Sequence, residues 1–272
     1  MNPVGVIQGR LVEKFHGRYQ AHPLGYWQKE FSIAETIGLD MIEFILDYND
    51  YEINPLMSAA GIQEIGRVSK NTGVSVNTIC ADYFMEAPLH SKNREISEMS
   101  TLVMKSLLKN AGELGVTDIV VPCVDQSSLK EKDDIDRFVD KLSQLIPDAE
   151  KEGVNFSLET DLDPQSFIEL LDYFDSERVT VNYDIGNSAA LGYDPVEELD
   201  AYGSKITDIH IKDRIYEGGP VVLGTGDADF DKFFNKLREF NYQGPFIMQA
   251  YRDDEGLSIF KKQLKWIDKY FK

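Results

Sequence analysis

Short apolar runs rich in β-branched residues alternate along the chain with longer stretches of mixed polarity. The short runs fit strands of a parallel sheet, because such strands are covered on both faces and carry successive apolar residues. The pattern predicts eight strands, at residues 4–8, 41–46, 76–80, 118–123, 155–160, 179–185, 206–212 and 246–250.

The stretches between these runs carry apolar residues at spacings of three and four, which is typical of amphipathic helices. They predict eight helices, at residues 26–37, 62–71, 96–114, 135–151, 164–173, 195–202, 230–240 and 257–270. Four of these stretches are followed by a glycine and then a strand. Because glycine readily adopts the left-handed conformation that caps a helix, the predicted C-caps are Gly38, Gly73, Gly115 and Gly153.

Eight alternations of strand and helix indicate parallel strands joined by helical crossovers. Such a chain forms either a doubly wound open sheet or a closed barrel, and the count of eight favours closure. The sequence contains no linker, low-complexity tract or change in composition. We therefore predict an α/β protein that is a single (β/α)8 TIM barrel, with one domain over residues 1–272.

Composition and charge limit the cellular compartments and the binding partners that we expect. Hydrophobic residues make up 42% of the chain and charged residues 28%, as in globular proteins. The formal net charge of −19 argues against nucleic acid and against an anionic membrane surface. There is no apolar run of membrane-spanning length and no signal-like N-terminus. With Cys80 and Cys123 expected as buried free thiols, we predict a cytoplasmic protein.

The last four predicted strands each end in a residue of a type that binds metal ions. These residues are Glu159, Asp184, His210 and Gln249, separated from one another by about one strand–helix unit. Any one of them alone would more often be a cap or a buried partner of another polar group. Four in consecutive strands predict one shared site, and two carboxylates, an imidazole and an amide oxygen suit Mn²⁺, Mg²⁺, Co²⁺ or Zn²⁺.

The phrases SLET, YDIGNS, HIKDR and LGTGDADF resemble the xylose isomerase-like TIM barrels. The similarity is greatest to their sugar and sugar-phosphate isomerase/epimerase branch, which includes ketose 3-epimerases and L-ribulose-5-phosphate epimerases. The resemblance implies one divalent metal ion bound by Glu, Asp, His and Glu. Glu159, Asp184 and His210 match the first three positions, and Gln249 occupies the place of the final glutamate.

This departure changes the expected chemistry. In the resembling 3-epimerases, two glutamates face each other across the substrate and move a proton on opposite faces. An amide cannot do this at neutral pH, so we expect Glu159 to be both metal ligand and catalytic base, while Gln249 only binds. Aldose–ketose isomerisation can run on one base. Epimerisation would need another acid, such as Glu43 or Asp82.

Candidate substrate-binding residues surround these positions. Lys212 and Arg214 share the strand face of His210, Arg252 follows Gln249, and Asn187 stands near a histidine position of the resembling epimerases. Glu43 is expected to accept a hydrogen bond from substrate or to pair with a buried cation. Lys212 could equally pair with a barrel carboxylate. The amides of Gly224 and Gly226 bind an anionic group or form a plain turn.

We therefore predict a divalent-metal-dependent isomerase or epimerase of a sugar or sugar phosphate, acting through an enediolate. The alternatives are a lyase or dehydratase on a related polyol or keto-sugar, and a non-catalytic sugar-binding barrel. Metal-assisted hydrolysis, as in the apurinic endonuclease branch of this fold, conflicts with the acidic charge and the few histidines. The predicted partner is a small sugar or sugar phosphate, and the resemblance allows a homo-oligomer.

Overall fold

Eight parallel strands form a closed barrel in the computed structural model, which describes residues 2–271. Each strand pairs with the next, and the first pairs with the last, so the sheet has no free edge. The predicted barrel is therefore confirmed. The strands are β1 Val4–Ile7, β2 Met41–Ile45, β3 Thr78–Cys80, β4 Asp118–Cys123, β5 Asn155–Thr160, β6 Val179–Asp184, β7 Ile206–Ile211 and β8 Phe246–Met248.

Ten α-helices in the described part of the chain cover the barrel or follow its strands. They are α1 Gln28–Ile37, α2 Ala59–Thr72, α3 Tyr83–Glu86, α4 Arg94–Leu114, α5 Lys132–Glu152, α6 Pro164–Leu171, α7 Ile185–Leu191, α8 Pro195–Tyr202, α9 Phe230–Leu237 and α10 Leu257–Ile267. Eight of them correspond to predicted helices. The hydrophobic pattern missed α3 and α7, because segments of one or two turns are too short to show a helical period.

The predicted glycine caps are confirmed. Gly38, Gly73, Gly115 and Gly153 all have positive φ angles, between 73° and 83°, directly after α1, α2, α4 and α5. Each glycine turns the chain at the N-terminal end of the barrel and feeds it into the next strand. The carboxyl ends of all eight strands consequently meet at the opposite rim, where the candidate site lies.

Apolar side chains form two buried layers. The large core lies between the sheet and the helices and includes Phe31, Phe44 and Phe156, all 0% exposed. A small separate cluster lies inside the barrel and consists of Ile7, Met41, Ile45, Cys80, Val120 and Ile247. Because side chains alternate along each strand, the residues two positions further along these strands also face inward and form the floor of the site.

Both cysteines are buried and free, as expected from the sequence. Among residues 2–271, no helix combines the length and the apolar character needed to cross a membrane.

The glycine-rich loop after β7 folds around a buried carboxylate. Asp213 is 0% exposed and accepts hydrogen bonds from the amides of Gly224 at 2.8 Å, Gly226 at 2.9 Å and Ala228 at 3.2 Å. The anionic group that these glycine amides bind is thus the chain's own Asp213. A Cβ atom at Gly226 would lie 2.6 Å from the Arg214 carbonyl oxygen, so the loop requires glycine there.

We expect Asp213→Ala to destabilise the protein because it leaves three buried amides without an acceptor. The expected loss is about 3 kcal/mol in the free energy of unfolding, which lowers Tm by roughly 6–12 °C. Differential scanning calorimetry measures it. The matched control is Asp172→Ala, an exposed aspartate, which should change the free energy of unfolding by less than about 0.5 kcal/mol. Equal melting of the two variants would contradict the role of Asp213.

Candidate active-site cavity and metal centre

Residues at or just after the carboxyl ends of β3 to β8 line a cavity of about 390 Å³. Glu159 is the penultimate residue of β5, Asp184 the last of β6 and His210 the penultimate of β7, while Gln249 directly follows β8. This rim is where (β/α)8 barrels build their active sites. The polar residues that line the cavity include Gln20, Asp82, Glu159, Asn187, Lys212, Arg214 and Gln249.

A second cavity, of about 480 Å³, lies at the opposite end of the barrel beside Pro3, Asn77 and Gly244. It is larger, but the residues with metal-ligand chemistry lie at the strand carboxyl ends. We therefore place the candidate site in the cavity beside Glu159 and Gln249.

Glu159, Asp184 and His210 converge on one point. One potential ligand atom from each lies within 4.8 Å of the other two, and the three residues are 6%, 5% and 0% exposed. Their approach begins in the sheet, where Asp184 of β6 pairs in register with His210 of β7. Ligand atoms held about 2.0–2.2 Å from one cation are separated by roughly 3–4.4 Å, and the 4.0 Å between His210 Nδ1 and Asp184 Oδ2 lies within that range.

The side chain of His210 makes a hydrogen bond through each of its ring nitrogens. Nε2 lies 2.9 Å from Glu43 Oε1 and Nδ1 lies 3.2 Å from Asn182 Nδ2. The carboxylate accepts a proton from Nε2, and the Asn182 amide donates to Nδ1. Nδ1 is then the acceptor nitrogen of the ring, and it lies 4.0 Å from Asp184 Oδ2 on the side of the cluster. A bound cation would take this lone pair in place of the hydrogen bond from Asn182.

Gln249 offers an unused oxygen to the same cavity. Its Nε2 donates to Gln20 Oε1 at 3.0 Å, while its Oε1 is buried and has no hydrogen-bond partner among the described residues. A buried acceptor without a donor costs about 1–3 kcal/mol. Two carboxylates, one imidazole nitrogen and this amide oxygen form a donor set that fits a divalent cation.

Two basic side chains offset the negative charge of the cluster. Lys212 Nζ lies 3.1 Å from Asp184 Oδ2 and 3.1 Å from Asn187 Oδ1, and Arg214 Nη1 donates to the same Asn187 oxygen at 2.8 Å. The pairing of Lys212 with a barrel carboxylate, one of its two expected roles, is thus present. Both cations also line the cavity, where they can reach an anionic ligand.

Asn187 connects these cations to the candidate base. Its Nδ2 donates to Glu159 Oε1 at 2.6 Å, and its backbone amide is held by Asp184 Oδ1 at 2.9 Å. Asp184 caps the N-terminus of α7 through this second bond. The short helix α7 therefore fixes Asn187 over the cavity, although the hydrophobic pattern did not predict that helix.

Glu159 lies in surroundings that disfavour its charge. The pKa of Glu159 is raised to about 7. Burial is the main cause, the Asp184 carboxylate is the second, and Asp82 contributes in the same direction. A carboxyl group with a pKa near neutrality is suited to exchange protons at physiological pH.

Glu43 and Arg252 lie outside the cavity wall. Glu43 is 0% exposed below the cluster, where burial raises its pKa to about 7, and it contacts His210. Arg252 is 3% exposed and its guanidinium donates to the carbonyl of Gly9. Among residues 2–271 the cavity lining includes neither Glu43 nor Arg252, whereas it does include Asn187, Lys212 and Arg214.

Sequence reasoning missed Gln20 and Asp208. Gln20 lies in the irregular segment between β1 and α1 and reaches both Gln249 and Asp82, at 3.0 Å each. No periodic signal exists in that segment. Asp208 is buried two residues before His210 and forms a second group of metal-ligand type with Glu43 and His210. Its two-residue spacing from His210 was the available signal, because alternate strand residues share one face.

Comparison with known proteins agrees with this architecture. The family model described as xylose isomerase-like TIM barrel matches residues 31–270. L-ribulose-5-phosphate 3-epimerase UlaE of Salmonella typhimurium is 25% identical over 238 residues, which cover 84% of this chain and 83% of the relative.

Two solved structures share the fold. The 3-keto-D-glucoside 4-epimerase YcjR of E. coli superposes with a TM-score of 0.77 at 18% identity, covering 99% of this chain and all of the other. The IolI protein, solved with a bound zinc atom, gives a TM-score of 0.77 at 18% identity and covers 99% of each chain. At this identity, the likeness establishes the fold alone. On the evidence of the family model, which spans most of its length, the chain belongs to the xylose isomerase-like TIM barrel family.

Proposed function

We propose that this protein is a divalent-metal-dependent epimerase of a ketose phosphate of the L-ribulose 5-phosphate kind. The observation that carries the proposal is the convergence of Glu159, Asp184 and His210 beside a cavity that also contains Lys212 and Arg214. A relative aligned over 84% of the chain is named as an L-ribulose-5-phosphate 3-epimerase, which supports the class of reaction.

Glu159, Asp184, His210 and Gln249 would hold the cation. When bound, a divalent cation supplies electrostatic stabilisation of the negative charge that develops on substrate oxygens during proton removal. Glu43 has a positioning role in this proposal, because it accepts a hydrogen bond from Nε2 of His210 and so leaves the lone pair of the ring on Nδ1. We assign no direct substrate contact to Glu43.

Glu159 is the proposed catalytic base. Its carboxylate removes the proton from the carbon next to the substrate carbonyl, and the electron pair of that bond becomes part of an enediolate. The hydrogen bond from Asn187 Nδ2 to Glu159 Oε1, at 2.6 Å, fixes the orientation of the base. Binding and orientation of this kind lower the entropic cost of the reaction.

Lys212 and Arg214 would bind the anionic end of the substrate. Both are only partly buried, both contact Asn187 Oδ1, and both face the cavity. Arg252 would act indirectly, since its bond to the Gly9 carbonyl holds the start of the segment that carries Gln20.

A specific observation favours one second candidate, aldose–ketose isomerisation. Gln249 cannot transfer a proton, and isomerisation needs only one base that moves a proton along one face of the substrate. The two reactions are distinguished by product analysis, because epimerisation inverts one carbon of a ketose and isomerisation moves its carbonyl group.

We expect the metal-free protein to bind one Mn²⁺ or Zn²⁺ ion per chain, measured by isothermal titration calorimetry. Asp184→Asn should weaken binding by about 100-fold or more, because it removes a charged ligand while keeping an oxygen to cap α7. Glu217→Gln is the control, since Glu217 lines the same cavity but is exposed and outside the cluster. Binding by Asp184→Asn at the wild-type affinity would exclude this site.

Gln249→Glu should strengthen binding of the same ion by roughly tenfold, equivalent to about 1.4 kcal/mol. A negatively charged oxygen would then stand where the unpartnered amide oxygen of Gln249 lies. The titration that measures Asp184→Asn also tests this variant, and one ion per chain should still bind. An unchanged affinity would show that position 249 does not contact the ion.

With Mn²⁺ present, the protein should convert L-ribulose 5-phosphate to its 3-epimer. Proton NMR measures this conversion. Glu159→Gln should lower kcat by about 10²–10⁴-fold, because the amide cannot accept the substrate proton. Glu217→Gln should retain activity. Unchanged turnover in Glu159→Gln would exclude Glu159 as the base, and conversion to an aldose phosphate would favour isomerisation.

A further inference from the structure

Inversion of a carbon requires a group on each face of the substrate, and Gln249 cannot supply the second one. We propose that Asp82 is the second catalytic acid and base of this enzyme, acting together with Glu159 in the same cavity. This inference rests on the proposed epimerase function. It identifies which residue takes over the proton transfer that a glutamate at the end of β8 performs in the resembling enzymes.

Asp82 lies just after the carboxyl end of β3, at the rim of the barrel that carries the candidate site. It follows β3 by two residues and is partly exposed in the wall of the cavity that Glu159 and Gln249 also line. Both carboxyl groups therefore border the space that a substrate would enter. Strand β4 alone separates β3 from β5 in the barrel, so the two carboxyl groups enter the cavity from two different strand ends about a quarter-turn apart.

Two hydrogen bonds hold the Asp82 carboxyl group. Gln20 Nε2 donates to Oδ2 at 3.0 Å, and the thiol of Cys80 donates to Oδ1 at 3.2 Å. Both donors are neutral, and the described residues place no cation within ion-pair distance of this carboxyl group. Because it has no ion-pair partner, Asp82 keeps the ability to gain and lose a proton that a permanent salt bridge would suppress.

A chain of two hydrogen bonds connects Gln249 to Gln20 and Gln20 to Asp82. Gln249 Nε2 donates to Gln20 Oε1, and the Gln20 amide nitrogen is thereby turned towards Asp82. Arg10 Nη2 supports the same orientation by donating to Gln20 Oε1 at 3.3 Å. A carboxylate at position 249 would face the Gln20 oxygen as a second acceptor, so Gln20 would have to rotate and release Asp82. The amide at position 249 and the carboxyl at position 82 therefore depend on each other.

The other carboxylates of the cavity are less suitable. Asp161 follows β5, the strand of Glu159, and accepts a hydrogen bond from Ser128. Asp125 and Glu217 are exposed at the rim. Glu43 is 0% exposed below the cluster.

The proposed step is balanced in atoms and charge. Glu159 takes the proton from the carbon next to the carbonyl, the C–H electrons form a C=C bond, and the carbonyl π electrons move to oxygen. Protonated Asp82 then gives its proton to the opposite face of that carbon, where a new C–H bond forms and the carbonyl returns. Glu159 ends protonated and Asp82 ionised, and exchange of one proton with water restores both. The reverse reaction uses the same groups in exchanged roles.

The test incubates the protein with Mn²⁺ and L-ribulose 5-phosphate in D₂O and measures two reactions. NMR measures inversion at carbon 3 and also the incorporation of deuterium into recovered substrate. Asp82→Asn should lower inversion by about 100-fold or more, while incorporation into substrate continues, because Glu159 still removes and returns a proton on one face. Asp161→Asn, from the same cavity wall, should leave both rates unchanged.

Two further variants protect the test against a simple folding defect. Asp82→Glu should recover part of the inversion, and Asp82→Asn combined with Gln249→Glu should recover more, because it returns a carboxylate to the cavity. Mn²⁺ affinity of Asp82→Asn, measured calorimetrically, should equal that of the wild type.

Each alternative outcome has one meaning. Inversion by Asp82→Asn at the wild-type rate would overturn the assignment, as would equal loss of inversion and incorporation with intact Mn²⁺ binding. A wild-type protein that shows neither event would instead refute the proposed function.

Discussion

His210 uses both ring nitrogens, and the organisation of the site depends on this. Glu43, from the far side of the barrel, accepts the proton on Nε2 at 2.9 Å, which directs Nδ1 towards Glu159 and Asp184. The pair is wholly buried, with 0% exposure of both side chains, so the ring has no alternative partner in water. Removing either member would leave an uncompensated buried polar group, a costly defect inside a barrel.

The same burial explains why a cation would stabilise the cluster. Glu159 and Asp184 lie together with little exposure, and the Asp184 carboxylate raises the cost of ionising Glu159. In the metal-free state, the ammonium group of Lys212 and the shift in the pKa of Glu159 reduce this cost. A divalent ion would do so more completely. Lys212 would then be released from part of its interaction with Asp184 and become available to a substrate anion.

The sequence predicted features that repeat or that lie on regular elements. The eight strands, the glycine caps and the placement of Glu159, Asp184 and His210 at strand ends all follow from period and register. Contacts made by irregular segments could not be predicted in this way. Gln20 lies in a loop with no period, and the anion bound by Gly224 and Gly226 is Asp213, identified only by the folded path of the chain. Adjacency in sequence predicts that Arg252 lies beside Gln249 in the cavity. In the structure Gln249 lines the cavity, whereas the Arg252 side chain turns to the Gly9 carbonyl.

Position 249 illustrates how one amide can alter a whole site. A glutamine in place of glutamate lowers the negative charge of the candidate metal site by one unit and provides an N–H donor that a carboxylate lacks. That donor fixes the rotamer of Gln20, whose own amide then reaches Asp82. Under the proposed assignment, the amide at position 249 decides which oxygen atoms of the cavity are held and which carboxyl group would face a substrate. A change that looks like the loss of a catalytic group in the sequence becomes, in the folded chain, a rearrangement of the groups that can move a proton.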